Sequence, residues 1–253
     1  MKLAAIGLIL FLPVLILNPL YALSNELVLP AGDIYELRIH CGAGSLYLVN
    51  AEWQSTIKVF AEIEAEKLGQ GDDDLFVKKN INLSLVRRGH RAFLKSDLKP
   101  AFLRQVDARI NLTIEVPRGV DVFIDDGSGP IHIQYFSGHL DIKDDSGGIT
   151  IENTVGNVRV ADGSGNIILD NIVGNVEIKD GSGSIDVNRI KGDVRVTDGS
   201  GTISVQYVDG NVSLADESGA IDINDISGNV LMRRTGSGEV NIERVKGEVV
   251  TQN

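Results

Sequence analysis

The side chains best placed to do chemistry in this chain are carboxylates. Asp126, Asp144, Asp162, Asp180, Asp198 and Asp216 lie 18 residues apart. Each opens a polar turn. The turn reads Asp-Gly-Ser-Gly at 126–129, 162–165, 180–183 and 198–201, Asp-Asp-Ser-Gly at 144–147, and Asp-Glu-Ser-Gly at 216–219. If the turns stack, the carboxylates form a column spaced by about one strand separation, ~4.8 Å. Like charges at that spacing repel, and calcium between turns would relieve the repulsion. These six Asp are therefore the single candidate metal site. The competing use is local, since an Asp that opens a turn accepts a backbone N–H two residues on.

The order of residues favours the local use. Calcium-binding nonapeptide rolls also have 18-residue coils, but their turn runs Gly-Gly-x-Gly-x-Asp, with the Asp late. Here Asp comes first, so turn capping is expected and no cofactor. Other chemistry finds little support. The repeated Ser belongs to a turn, and no Gly-x-Ser-x-Gly elbow, His-Glu-x-x-His, P-loop or Rossmann fingerprint is present. The four His are 40, 90, 132 and 139. His132 and His139 could share one coil, but two His make an incomplete zinc site. The sole Cys, Cys41, continues the alternation of Leu37 and Ile39, which predicts a buried small hydrophobe. No catalytic residue is expected. A carbohydrate-active β-helix enzyme is the weakest alternative, because such enzymes use carboxylates in a cleft and the turns here are only about four residues long.

The elements that carry these turns are legible. Apolar residues two apart mark strands with one buried face, as at Ile167/Leu169, Val176/Ile178, Ile185/Val187 and Val194/Val196. Each 18-residue coil thus holds two short strands and two tight turns. The second turn is marked by Gly138, Gly156, Gly174, Gly192, Gly210 and Gly228. The fold class is all-β: a parallel β-solenoid with 18-residue coils, in which each coil needs its neighbours to bury its face. A further apolar series, Phe136, Ile172, Ile190, Val208, Ile226 and Val245, reads as a corner plug. Thr154 breaks it, with Val155 as the expected relief. The last Gly of each polar turn recurs without exception, which predicts positive φ or close backbone approach there. The second position accepts Asp145 and Glu217, so it only prefers Gly. Near the end one interval is 19 residues. Arg234 then falls where another Asp is due, and a cation there would neutralise the end of the column.

Residues 1–24 read as a signal peptide: Lys2, an apolar run to Leu17, a break at Asn18-Pro19, and small residues at Ala22 and Ser24. The run is short for a bilayer span, so export with cleavage near Ser24 and no membrane span afterwards is expected, with retention as an N-terminal anchor as the alternative. No Cys lies directly after the run, which argues against a lipoprotein. Residues 25–118 read as a strand-rich N-terminal part or cap of the solenoid, with an insertion at about 66–107, and 119–253 as the regular repeats. Asp72–Lys79 fits a short helix or a loop equally well. The net charge is −11. From residue 119 onward 22 acids face 10 bases, while the earlier stretch has 13 acids and 14 bases. An acidic solenoid argues against nucleic acid or anionic lipid as partner, since those bind through clustered Lys and Arg.

The signal peptide, the strand-rich head, Ile114-Glu115-Val116-Pro117 and the coils of the form Gly-x-Val-x-Val-x-Asp-Gly-Ser-Gly-x-Ile-x-Val together resemble the bacterial "putative adhesin" family. The resemblance covers nearly all of 25–253. It implies an exported repetitive β-solenoid of the cell envelope, periplasmic, secreted or at the cell surface, and it brings no functional residues. The expected function is non-catalytic binding or scaffolding, with an envelope protein or glycan as partner. The alternative is a structural module that self-associates, or pairs with a partner's strand, through its open C-terminal edge.

Overall fold

The computed structural model describes residues 20–51, 55–66, 79–99 and 107–252. The proposed signal residues 1–19 and most of the Asp72–Lys79 segment lie outside these; residues 79–80 are helical. Everything else described is strand, turn or bend, arranged as two 11-stranded sheets.

The head contributes β1 (Leu20–Pro30), β2 (Glu36–Cys41), β3 (Leu46–Asn50), β4 (Thr56–Glu66), β5 (Ile81–Arg88), β6 (Arg91–Leu98) and β7 (Ala108–Val116). Strand β1 begins within the expected signal peptide, pairing Leu20–Ser24 with Glu62–Glu66. The repeats alternate between sheets. Sheet B takes β8 (Asp121–Asp126), β10 (Leu140–Asp144), β12 (Val158–Asp162), β14 (Val176–Asp180), β16 (Val194–Asp198), β18 (Val212–Ser218), β20 (Val230–Ser237) and β22 (Val249–Thr251). Sheet A takes β9 (Ile131–Gln134), β11 (Ile149–Val155), β13 (Ile167–Val173), β15 (Ile185–Lys191), β17 (Ile203–Val208), β19 (Ile221–Ile226) and β21 (Val240–Val245). Pairing is parallel and in register by one coil, so Ile167 aligns with Ile185 and Val176 with Val194. The β-branched side chains at these positions are buried, and one continuous core runs along the axis.

The head belongs to the same stack but winds out of chain order. Strands β2 and β3 form a layer between β6–β7 and β8–β9. Of the expected insertion at about 66–107, β6 is therefore a strand of the stack itself, with β5 paired outside it. Antiparallel β4 and β1 close sheet A at this end, and antiparallel β5 closes sheet B.

Three details differ from the sequence expectations. Thr154 itself fills the corner slot: it is buried and its Oγ1 donates to the Glu152 carbonyl at 3.3 Å, while Val155 faces out. The second turn position is tighter than Asp145 and Glu217 suggest. A Cβ on Gly181 would sit 2.5 Å from the Gly163 carbonyl oxygen. The last position is tighter still, at 1.7 Å for Gly183 against the Gly165 oxygen, with φ +145. Finally, the extra residue of the 19-residue interval is Arg233, extruded as a bulge between Leu214 and Ala215 of the facing strand. Arg234 then pairs with Ala215 and faces solvent, and Thr235 aligns with Asp216. The Asp column ends on a neutral hydroxyl residue, without the expected cation.

Candidate functional site

The six Asp do stack. Asp126, Asp144, Asp162, Asp180, Asp198 and Asp216 occupy one register line of sheet B. They point inward two positions after the last buried aliphatic residue of each strand, and all six are buried. From Asp144 onward each Oδ1 accepts the N–H of the Ser two residues later, at 3.2–3.3 Å. This is the capping role. Each Oδ2 is buried without a hydrogen-bond partner, and Asp126 lacks a partner on both oxygens.

Burial disfavours the charged form of a carboxyl, and a like charge beside it adds to the effect. Burial, then the neighbours Asp126 and Asp162, push Asp144 up to about 7. Burial, then Asp180, push Asp198 up to about 6. Burial also raises Asp126, Asp162, Asp180 and Asp216. The line is closed at one end by Ser96 and Cys41 and at the other by Thr235, all uncharged. Cys41 is buried and free, and burial, then Asp126, push its thiol up. The donor set fits calcium poorly. That ion takes six to eight oxygens, while each coil here offers one carboxylate with one oxygen already engaged. Among the described residues no group of three or more His, Cys, Asp or Glu is placed to hold a metal ion.

The second turn carries an ordered device that the sequence reading missed. The residue after its Gly is His139, Asn157, Asn175, Asp193, Asn211, Asn229 or Glu248. Along the axis each side chain accepts the backbone N–H of its counterpart one coil on: Asn157 Oδ1 from Asn175 at 3.0 Å, Asn175 from Asp193 at 2.9 Å, Asp193 from Asn211 at 2.8 Å. Asp121 begins this run, its Oδ1 accepting from His139 N–H at 2.9 Å, and His139 continues it with Nδ1 accepting from Asn157 N–H at 3.0 Å. It must be neutral to do so. The recurrence of Asn after Gly at 18-residue spacing was the available signal.

A second unpredicted row precedes the corner plug. Tyr135, Asn153, Asn171, Arg189, Tyr207, Asp225 and Arg244 all have φ between +52 and +57. Asn and Asp tolerate this region, whereas Tyr and Arg adopt it at a cost. Ion pairs partly hold the row, Arg189 with Asp170 and Arg244 with Asp225.

The outer faces of the two sheets differ. On sheet B, consecutive coils present Lys143, Arg159, Lys179 and Arg195, with Asp141 and Glu177 as the only acids on β10 to β16 that face out. On sheet A the corresponding strands present Glu152, Asp170 and Asp186, with cations only near the corner, at Arg189 and Lys191. Six of the 22 acids of the repeat region lie inside. The strong negative count therefore does not describe the surface of sheet B. A groove of about 510 Å³ runs along that face, and its charged lining is Arg159 and Arg195 against Asp141, Glu177 and Asp193. Nearer the head the same face has Arg38 over the Phe123 ring at 5.0 Å and Arg88 over Phe93 at 5.4 Å.

The His residues are dispersed. His40 Nδ1 lies 3.2 Å from Asp125 Oδ2, His90 bonds the Asp33 carbonyl and stacks on Tyr35, and His132 is an outward residue of sheet A. Among the described residues no helix is long and apolar enough to cross a membrane.

No family model matches the chain, and no curated protein matches it. Solved structures do. A "putative adhesin" from Bacteroides fragilis aligns over 91% of this chain and 97% of its own, with TM-score 0.49 and 13% identity. A "putative adhesin" from Parabacteroides distasonis aligns over 91% and 97%, with TM-score 0.45 and 11% identity. A "putative lipid binding protein" from the same organism aligns over 90% and 96%, with TM-score 0.33 and 12% identity.

Proposed function

We propose that this chain is an exported, non-catalytic cell-envelope protein that binds another macromolecule, protein or glycan, through the ribbed outer face of a sheet. The observation that carries this is the uniformity of the stack. Turns of a few residues leave both outer faces as long, flat arrays of side chains repeated at the coil spacing. Polar side chains that would have to converge for hydrolysis are instead distributed one per coil. Such extended surfaces suit the binding role of solenoids. Co-sedimentation of the purified chain with isolated envelopes, before and after protease treatment, tests the proposal and separates protein from glycan. Retention in the supernatant in both cases would defeat it, as would release of products from envelope polysaccharide.

A second reading has its own observation. The last coil exposes Val240, Val249 and Val250 of β21 and β22, and each of these strands has one unpaired edge. An open edge with apolar side chains is a template for strand pairing. Self-association through that end is tested by light scattering across a concentration series. A strictly monomeric mass throughout would remove this reading.

A further inference from the structure

The open aromatic rings of the molecule gather on one side. Tyr47, Phe60, Tyr135 and Tyr207 are exposed, and all four stand on sheet A or at its corner. Sheet B has aromatic residues too, but Phe93 and Phe123 lie against the guanidinium groups of Arg88 and Arg38. Tyr35, the other exposed aromatic among the described residues, is stacked on His90. On sheet A two of the open rings belong to one line across the strands. Phe60 of β4 pairs with Thr113 of β7, Thr113 with Tyr47 of β3, and Tyr47 with His132 of β9. His132 pairs in turn with Thr150 of β11, and Thr150 with Ile168 of β13. All of these side chains face outward.

The line is one side chain wide. Phe60 and Tyr47 stand two strands apart, so their rings repeat at about 10 Å, twice the strand separation. The hydroxyls of Thr113 and Thr150 and the carboxylate of Glu62 have no hydrogen-bond partner among the described residues. The rows on either side hold Glu62, Glu115, Glu152 and Asp170 against one base, Lys58, which lies opposite Glu115 in register. At Phe60 and Thr113 the line borders a groove of about 470 Å³ whose charged lining is Glu26 and Glu62, without a base.

We propose that this line on sheet A binds a straight, neutral glycan, a β-1,4-linked hexopyranose chain lying along the stacking axis with sugar rings on Phe60 and Tyr47. The proposal rests on the binding role argued above and names the surface and the partner. The C–H face of a sugar ring packs on the face of an aromatic ring, which is large, rigid and apolar. An extended β-1,4 chain advances by one strand separation, ~4.8 Å, per ring. Successive rings turn over, so every second ring presents the same face, and Phe60 and Tyr47 recur at that two-ring interval. Hydroxyls at the ring edges would bond to Thr113, Thr150 and Glu62. An anionic ligand fits worse, because the flanking carboxylates outnumber the one base. A folded protein partner also fits worse. A specific interface covers about 800 Å² on each side, and a single file of side chains between rows of carboxylates offers no such apolar patch.

The test titrates the full chain calorimetrically with cellohexaose and chitohexaose, both β-1,4-linked, with α-1,4-linked maltohexaose and an oligolysine peptide as alternatives. Binding to a β-1,4 hexasaccharide that is insensitive to salt is expected, with maltohexaose, which coils, left unbound. Tyr47→Val and Phe60→Val remove a ring but keep a strand-forming residue, so the melting temperature should hold. Each should lose about tenfold in affinity. Tyr47→Phe keeps the ring and should keep the affinity, as should Lys179→Gln on sheet B. Absence of binding to both β-1,4 hexasaccharides overturns the proposal, and so do equal binding of maltohexaose and unaffected affinity in both Val variants. Binding of oligolysine alone overturns it in favour of a basic peptide. In each of these cases co-sedimentation with envelopes still decides the wider role: persistence leaves that role intact, and its absence removes both.

Discussion

Acid should stabilise this protein, and the Asp column sets the size of the effect. Asp144 has a folded-state pKa raised from 3.8 to about 7. Between those two values the folded chain holds a proton that the unfolded chain has released. Stability therefore falls as pH rises through that window and recovers on acidification. One pKa unit is about 1.36 kcal/mol, so Asp144 alone accounts for on the order of 4 kcal/mol between pH 8 and pH 4. For a chain of this size, about 2–4 °C per kcal/mol, that is on the order of 10 °C in melting temperature. Asp126 and Asp162 flank Asp144 and are raised as well, so protons enter the column as a coupled set. Scanning calorimetry at pH 8, 7, 6 and 5 gives the profile. In Asp144→Asn the amide oxygen can still accept the Ser146 N–H, so the cap survives while one titration is lost. Its nitrogen stays buried and unpaired, which costs about 1–3 kcal/mol at every pH, so the informative quantity is the slope. The variant should show a flatter profile. If the parent chain loses stability steadily from pH 8 to pH 5, or if the two profiles run parallel, the column is ionised in the fold and the reasoning fails.

Other outcomes follow from the same geometry. Gly183→Ala should melt well below Gly181→Ala, because it combines the closer carbonyl contact with φ +145, and both should melt below the parent. Equal melting temperatures would refute the distinction. Tyr207→Asn replaces an aromatic residue at φ +54 with one that tolerates that region. It should raise stability by about 1 kcal/mol in urea titrations. His139→Asn should be nearly neutral because Asn fills the same ladder position in later coils, while His139→Val should cost about 1 kcal/mol. Deleting Arg233 should be tolerated, since it restores the 18-residue period; loss of the cooperative transition would show that the bulge is required.

The solenoid was legible because its code is redundant: Ile167, Ile185 and Ile203 state the same inward position three times. The fate of Cys41 was legible for the same reason, as a continuation of Leu37 and Ile39. What escaped were features set by contact between coils. Space at Gly181 depends on the carbonyl of Gly163 one coil away, a constraint that Asp145 and Glu217 at the same turn position give no sign of. Arg234 was misplaced because counting cannot say which residue of an irregular interval is extruded. The charge of sheet B was masked by a sum that mixed buried, sheet A and sheet B carboxylates. The column itself was found, but its inward direction was visible only as an alternation carried one step beyond Val160 and Ile178.

The place of β2 and β3 in the stack sets a timetable for the molecule. Their neighbours on one side, β6 and β7, and on the other, β8 and β9, are all made later. A chain emerging amino end first therefore holds β2 and β3 without neighbours on both sides until Gln134, a little past the midpoint of its 253 residues, has appeared. The uniform coils beyond Gly129 face no such delay, since each one finds its support immediately behind it. Assembly would then start in the middle and run both ways, with the head locking shut as a late event.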